Sequence, residues 1–137
     1  MSDLRDSLDQ AIREAAEWLA FADAIPKAEP SGERPATWFG VELHEPRAGS
    51  LVFRISPDDA RALSRSAWGA LAEETDDQVN AFLCELANVV AGRFLALRHP
   101  GAEIRIGFPT VGSRPAGPLP LVGYDLDGIE LAIGWAP

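Results

Sequence analysis

Thr75-Asp76-Asp77-Gln78-Val79-Asn80-Ala81-Phe82-Leu83-Cys84-Glu85-Leu86-Ala87-Asn88-Val89-Val90-Ala91-Gly92-Arg93-Phe94-Leu95-Ala96-Leu97-Arg98-His99 is the longest periodic stretch of the chain, with a marked start and stop. Thr75 to Gln78 reads as a capping box, with Thr75 as N-cap and Gln78 reaching back. Arg93, Arg98 and His99 gather where a helix dipole favours positive charge, and Pro100-Gly101 then stops the helix. On a wheel at 100° per residue, Val79, Phe82, Leu83, Leu86, Val89, Val90, Phe94 and Leu97 share one broad apolar arc, the expected buried face. Opposite them Ala81, Glu85, Asn88 and Gly92 follow one another at spacings of four, three and four, which makes a single outward stripe. Cys84, Ala91 and Leu95 border that stripe and add no charge to it. An ordinary outer face would carry several Lys, Arg or Glu; this one carries one acid, one amide and small residues, a surface another protein can approach closely. Asn is also poor helix filler, because its side chain competes for backbone hydrogen bonds. Its placement at 88 calls for a reason other than helix propensity.

Length and composition bound the rest. With 137 residues the chain has enough for one core, and a single domain spanning 1–137 is expected. At 47% hydrophobic and 24% charged it has a globular composition. The net charge of −9, with no Lys/Arg cluster, argues against a nucleic-acid binder and against an anionic membrane surface. A single cysteine excludes an internal disulfide and fits a reducing cytoplasm. The polar, acidic start MSDLRDSLDQ has neither the basic beginning nor the apolar run of a signal peptide, and no transmembrane helix is expected.

Outward from the organising helix, the chain orders itself as α-ββ-αα-βββ. Asp3 to Ala24 is predicted as a first helix, ended by Pro26, and residues 26–37 as a loop. Trp38–His44 and Ser50–Ile55 read as strands joined by a hairpin loop. Ser56-Pro57-Asp58-Asp59 opens a second helix, with Ser as N-cap, Pro at the first position and acids in the first turn; it runs to Trp68, and Gly69 closes it. After the long helix, Glu103–Phe108 alternates strictly, residues 112–120 are a Pro-rich loop, and Leu121–Tyr124 pairs with Ile129–Trp135 across an Asp-Gly turn. Strands joined by hairpins imply an antiparallel sheet. The expected α+β fold is therefore a two-layer domain of five strands in one mainly antiparallel sheet, with three helices on one face.

Most chemistry-bearing residue types have ordinary readings. His44 and His99 stand in no metal-ligand spacing, so no metal site is expected. Cys84 has no positive neighbour to lower its pKa and reads as an inert, half-buried thiol. Asp125-Leu126-Asp127-Gly128 lacks the later ligands of a calcium loop and reads as a turn. No glycine-rich phosphate loop follows a strand, and the four tryptophans fit core or interface anchors. Glu85 and Asn88 remain.

Glu85-Leu86-Ala87-Asn88-Val89-Val90-Ala91-Gly92, followed by a strand ending in Gly107-Phe108-Pro109-Thr110, resembles the CheX-type chemotaxis phosphatases, relatives of CheC and FliY. In that family the helix carries E-x-x-N, often continued as N-x-x-x-G, and the next strand leads to a Pro-Thr pair. The similarity extends from about Trp38 to Trp135. It departs from the family at Ala81, where Asp or Ser is frequent. Some relatives carry a second signature on the first helix; the nearest match here, Glu14-Ala15-Ala16-Glu17, lacks the Asn and reads as a plain exposed face, which implies one site per chain.

The resemblance implies a phosphatase that removes the phosphoryl group from the aspartate of a CheY-type response regulator. The phosphorylated regulator would supply the phosphoaspartate, the Mg²⁺ and a lysine, so the chain would need no cofactor of its own. Asn88 would orient the attacking water and Glu85 would pair with the regulator's lysine, while Ala81, Ala91 and Gly92 would let the helix backbone come close. Phosphoryl transfer is mostly positioning and charge stabilisation, and a carboxamide can hold a water through its oxygen and its NH₂. The alternatives are a regulator-binding module of the same fold that does not catalyse, and a dimeric scaffold with an unrelated ligand. A homodimer is expected, with Leu51 to Ile55 as an apolar strand exposed at a sheet edge.

Overall fold

The structure, a computed structural model, describes residues 2–20, 22–27, 35–69, 75–112, 114–115, 117 and 119–136. The described elements are helices α1 (Ser2–Ala20), α2 (Pro57–Trp68) and α3 (Asp76–Arg98), and strands β1 (Ala24–Lys27), β2 (Thr37–Glu45), β3 (Gly49–Ile55), β4 (Arg105–Ile106), β5 (Thr110–Val111), β6 (Leu121–Leu126) and β7 (Ile129–Ala136). All strand pairs are antiparallel. They form one seven-stranded sheet in the order β1-β6-β7-β3-β2-β4, with β5 also on β2.

The helix ends follow local chemistry. Thr75 Oγ1 accepts from the Gln78 N–H at 3.1 Å, and Ser56 Oγ accepts from the Asp59 N–H at 3.1 Å, each satisfying a donor that the first turn leaves orphaned. At the far end of α2, Gly69 sits at φ 92 and its N–H closes on the Arg65 carbonyl at 2.8 Å, a conformation that residues with a Cβ rarely adopt. The β6–β7 turn places Asp127 at φ 52 and Gly128 at φ 94, two left-handed residues in a row, as a hairpin of matched twist requires. Asp125 Oδ1 accepts from the Gly128 N–H at 2.7 Å and fixes that turn.

Two more strands exist than the five expected. Pro26 does not simply end the first helix; it lies within β1, which pairs with β6 at the sheet edge, where a residue without an N–H costs no ladder bond. Helix α1 stops correspondingly earlier, at Ala20. The run predicted over Glu103–Phe108 shortens to β4 (Arg105–Ile106), whose pairing with β2 carries a register shift between Leu43 and Glu45, and β5 is a further short strand on β2 just past Pro109, which has no N–H to donate. The expected edge strand at Leu51 to Ile55 is also corrected: β3 lies between β2 and β7. Its continuous apolar run reflects a central position, with Leu51, Phe53 and Ile55 buried against the helices and Val52 and Arg54 half-buried on the other face. The link at 70–74 and most of the loop after Lys27 lie outside the described residues.

The core forms between the sheet and the helices. Phe39 and Phe53 stack at 4.8 Å between ring centroids, and Phe94 meets Trp135 edge-on at 5.5 Å. Over the opposite face of the sheet the chain before β6 folds back, so that a Cβ at Gly134 would stand 2.7 Å from Leu119 Cδ2. Helix α1 is fastened to the sheet by a part-buried polar contact, in which the hydroxyl of the buried Tyr124 donates to Asp9 Oδ1 at 2.5 Å while Arg5 Nε donates to the same oxygen at 3.1 Å from the exposed side. Burial, and then the hydrogen bond and charge of Asp9, push the Tyr124 phenol well above its usual range.

Leu86 is fully buried, so Leu86→Ala should cost about 2–5 kcal/mol in chemical denaturation. Tyr124 is the one tyrosine of the chain, so its titration can be read alone. Its raised pKa stabilises the fold fully below the unfolded tyrosine value of about 10 and is lost as pH rises toward the folded value. Stability should therefore fall above about pH 10, with tyrosinate absorbance rising only as the chain unfolds. Tyr124→Phe should remove that pH dependence and lower stability at neutral pH by about 1–3 kcal/mol.

Candidate functional site

Helix α3 is walled in along most of its circumference. It packs on β2, β3, β4 and β5 beneath it, on α2 near its start and on α1 along one flank. Val79, Phe82, Leu83, Leu86, Val90 and Phe94 are buried as the wheel requires, whereas Val89 and Leu97 are half-buried. Along the α1 flank, Arg93 donates to both carboxylate oxygens of Glu14, from Nε at 2.5 Å and from Nη2 at 3.3 Å. Along the other flank, the Cys84 thiol approaches the Pro109 carbonyl oxygen at 3.9 Å and brings the segment between β4 and β5 against the helix.

What stays open between these flanks is the stripe of Ala81, Glu85, Asn88 and Gly92. Ala81 and Glu85 are exposed, and Asn88 and Gly92 are half-exposed. A Cβ built on Gly92 would meet nothing within 4 Å, so a partner has open access there. Among the described residues neither Glu85 nor Asn88 has a side-chain hydrogen bond or ion pair recorded to another residue, and both groups remain available to an outside ligand. The two are one turn apart on the same face, so a single approaching group can meet both.

Ala91 does not belong to this surface. It is 0% exposed, and Leu95, placed beside it at the border, is 1% exposed. Ala91 follows Cys84 by seven residues and Leu95 follows Ala91 by four, so both lie on the flank turned toward Pro109, where the sheet edge covers what the wheel left at the border. Ala91 therefore serves close packing inside the domain and offers nothing to a partner.

Phe108 is the residue that periodicity missed. As the last position of an alternating run it looked like part of a strand, yet it falls in the gap between β4 and β5 and is 94% exposed. The signal in the sequence was the Pro that follows it, which interrupts the ladder. The backbone around it is held: the Gly107 N–H donates to the Glu42 carbonyl at 2.8 Å, and the Gly112 N–H donates to the Trp38 carbonyl at 2.6 Å.

On the first helix, Ala15 and Ala16 are buried and Glu14 is occupied by Arg93, so Glu14 to Glu17 is only partly the exposed face expected of it. His99 ends α3, its N–H donating to the Leu95 carbonyl at 2.9 Å, while His44 stands on β2. Among the described residues, no three His, Cys, Asp or Glu side chains gather as a metal ion would need. By length and composition α3 could cross a membrane, with 23 residues and a mean hydropathy of 1.3, against the expectation from sequence that no segment would; half of its apolar window is buried inside the domain, as in a core helix.

No family model and no curated protein sequence matches the chain. Solved structures do. The chemotaxis protein CheX from Desulfovibrio desulfuricans superposes with a TM-score of 0.77 at 14% identity, over 97% of this chain and 97% of that one. CheX of Borrelia burgdorferi, in a CheX–CheY–BeF3–Mg²⁺ complex, gives 0.76 at 19% identity over 98% and 97%. A CheC-like protein from Shewanella oneidensis MR-1 gives 0.66 at 15% identity over 98% and 97%. Likeness at such identities is likeness of fold: the chain has the mixed helix and antiparallel-sheet architecture of the CheX and CheC-like proteins.

Burial pushes the Cys84 thiol above its ordinary pKa, which lowers its thiolate fraction at neutral pH. Iodoacetamide should alkylate it several-fold more slowly in the folded protein than in guanidinium, with the rate still climbing above pH 9.

Proposed function

We propose that this protein binds a CheY-type response regulator through the open stripe of α3 and accelerates hydrolysis of its phosphoaspartate. The observation that carries the reading is the pairing of an unengaged carboxylate and an unengaged carboxamide, Glu85 and Asn88, one turn apart on a face of small residues, in a CheX-like fold. Asn88 would place the attacking water in line, accepting from it through the amide oxygen or donating through the NH₂. Glu85 would meet the regulator's lysine and set the docking register. Exposed Ala81 and open Gly92 let the helix backbone enter the mouth of the regulator's site. Mg²⁺ and the phosphoryl group belong to the regulator on this reading, so the chain needs only to add a positioned amide. It would act in the cytoplasm, where its partner is, as a single domain with one site, and pair with a second copy through a sheet edge.

Phosphoryl loss from a purified regulator, followed with and without the protein, tests the reading directly. Acceleration by wild type that Asn88→Ala abolishes, with binding nearly unchanged, is expected, because that interaction exists mainly in the transition state. Glu85→Ala should weaken both binding and rate, since the regulator's lysine loses its partner. Both side chains lie outside the core, so thermal stability should stay within about 0.5 kcal/mol of wild type. Binding without acceleration by wild type would make the chain a regulator-binding module, and full activity in Asn88→Ala would overturn the mechanism.

A further inference from the structure

We infer that Gly92 sets how closely the regulator docks, as the point on α3 where the partner's main chain comes against the helix. The inference rests on the reading that α3 docks a regulator, and deepens it by fixing where the two chains come closest. Gly92 lies well inside the 23 residues of α3, in regular helix. Glycine is costly there, because it has the most backbone freedom to lose; relative to alanine it lowers the folding equilibrium about two- to five-fold. A fold keeps an interior glycine for a backbone angle other residues avoid, or for a neighbour that leaves no room for a Cβ. Gly69 shows the first reason, at φ 92, and Gly134 the second, with Leu119 Cδ2 at 2.7 Å from its Cβ position. Gly92 shows neither. It has no positive φ, and a Cβ there would meet nothing within 4 Å. Alanine would fit the free chain and strengthen the helix, so the demand for glycine comes from outside the chain. Ala81 makes no such demand, since alanine is the best helix former and sits on the stripe at no cost.

The place of Gly92 relative to the open pair gives that demand a shape. From Glu85 to Gly92 the helix rises about 10 Å, and the two lie only about 20° apart around its axis, with Asn88 between them and slightly to one side. A partner held at Glu85 and at Gly92 therefore spans Asn88. A side chain arriving at Gly92 could rotate away from an added methyl. Main chain cannot, being held by its own hydrogen bonds. The occupant that glycine alone admits is thus a stretch of the regulator's backbone, lying across the phosphoaspartate from the lysine that meets Glu85. Contact at that depth brings the Asn88 carboxamide to the phosphoryl group. A methyl at 92 holds the partner off, and a misplacement of about 1 Å is enough to cost an aligned reaction about 100-fold.

The test compares wild type, Gly92→Ala and Gly92→Leu in thermal unfolding, in affinity for a regulator held active by BeF3 and Mg²⁺, in phosphoryl loss at saturating protein, and in mass by light scattering. Gly92→Ala should raise the thermal midpoint by about 2–4 °C, because the helix gains a better former. The same change should weaken regulator affinity about 10-fold and slow phosphoryl loss at saturation. Gly92→Leu should stay folded and lose measurable binding. A glycine with a purely structural role cannot give this opposition of stability and affinity. The fold-loss at Gly92 should also be the same at low and high salt, whereas the loss in Glu85→Ala shrinks as salt screens the charge. If Gly92→Ala lowers the midpoint, the fold itself requires the glycine and the inference is overturned. If wild type binds and accelerates a regulator and Gly92→Ala matches it in both, the close approach is refuted and the functional reading stands. If no regulator binds wild type, both fall. If Gly92→Leu turns a dimer into a monomer with regulator affinity intact, the close neighbour is a second copy of this chain and the inference is overturned.

Discussion

The enclosure of α3 governs the rest of the molecule. A helix that is apolar around most of its circumference has to be covered on every side but one, and here the sheet, α1, α2 and the segment around Pro109 each cover a part. The remaining stripe is defined by what the neighbours leave uncovered. It also fixes the orientation of the helix. Rolling α3 by one residue, 100°, would bring Leu86 toward solvent and press the Glu85 carboxylate toward the core, where an unpaired charge costs several kcal/mol. The backbone positions of Glu85 and Asn88 are thus a consequence of core packing.

Two polar contacts complete that enclosure at α1. Asp9 holds the helix down through the buried Tyr124 hydroxyl, and Glu14 holds it sideways to Arg93. They differ in kind. The first engages a hydroxyl that is itself fully buried, where an orphaned donor is costly. The second is partly exposed, where an ion pair sets alignment more than it adds stability. Between them Ala11, Ile12, Ala15 and Ala16 are fully buried, and the small size of the three alanines lets α1 lie close against its neighbours.

The sequence was most legible where local rules and burial agree. Thr75, Ser56 and Gly69 cap as their side chains or backbone freedom dictate, the Asp127-Gly128 turn forms as read, and the wheel placed Glu85 and Asn88 outside. It was least legible where a distant segment decides the outcome. Pro26 reads as a helix stop in isolation and becomes an edge strand only because β6 lies beside it. Ala91 has the angular position of a border residue, and its burial depends on the chain returning past Cys84 some twenty residues later. Leu51 to Ile55 looks like an exposed apolar edge until the order of strands is known. Phe108 was hidden by an alternation that breaks at the residue after it. In the first three cases the missing information is a tertiary neighbour, which no local pattern carries.

The ion pair between Glu14 and Arg93 has a bearing on how such a chain could change over evolutionary time. Glu14 and Glu17 on α1 stand at the same spacing as Glu85 and Asn88 on α3. Replacing Glu17 by Asn would complete the motif in writing but not in chemistry, because the carboxylate at 14 is already taken by the guanidinium on α3. Releasing it would require a second substitution at Arg93, which by itself strands a partly covered acid between two helices. A second free carboxylate–carboxamide pair therefore lies two coupled steps away, with the intermediate less well held than either end. For as long as both partners persist, the ion pair keeps the Glu14 carboxylate engaged within the chain and leaves the open carboxylate–carboxamide pair on α3 without a copy on α1.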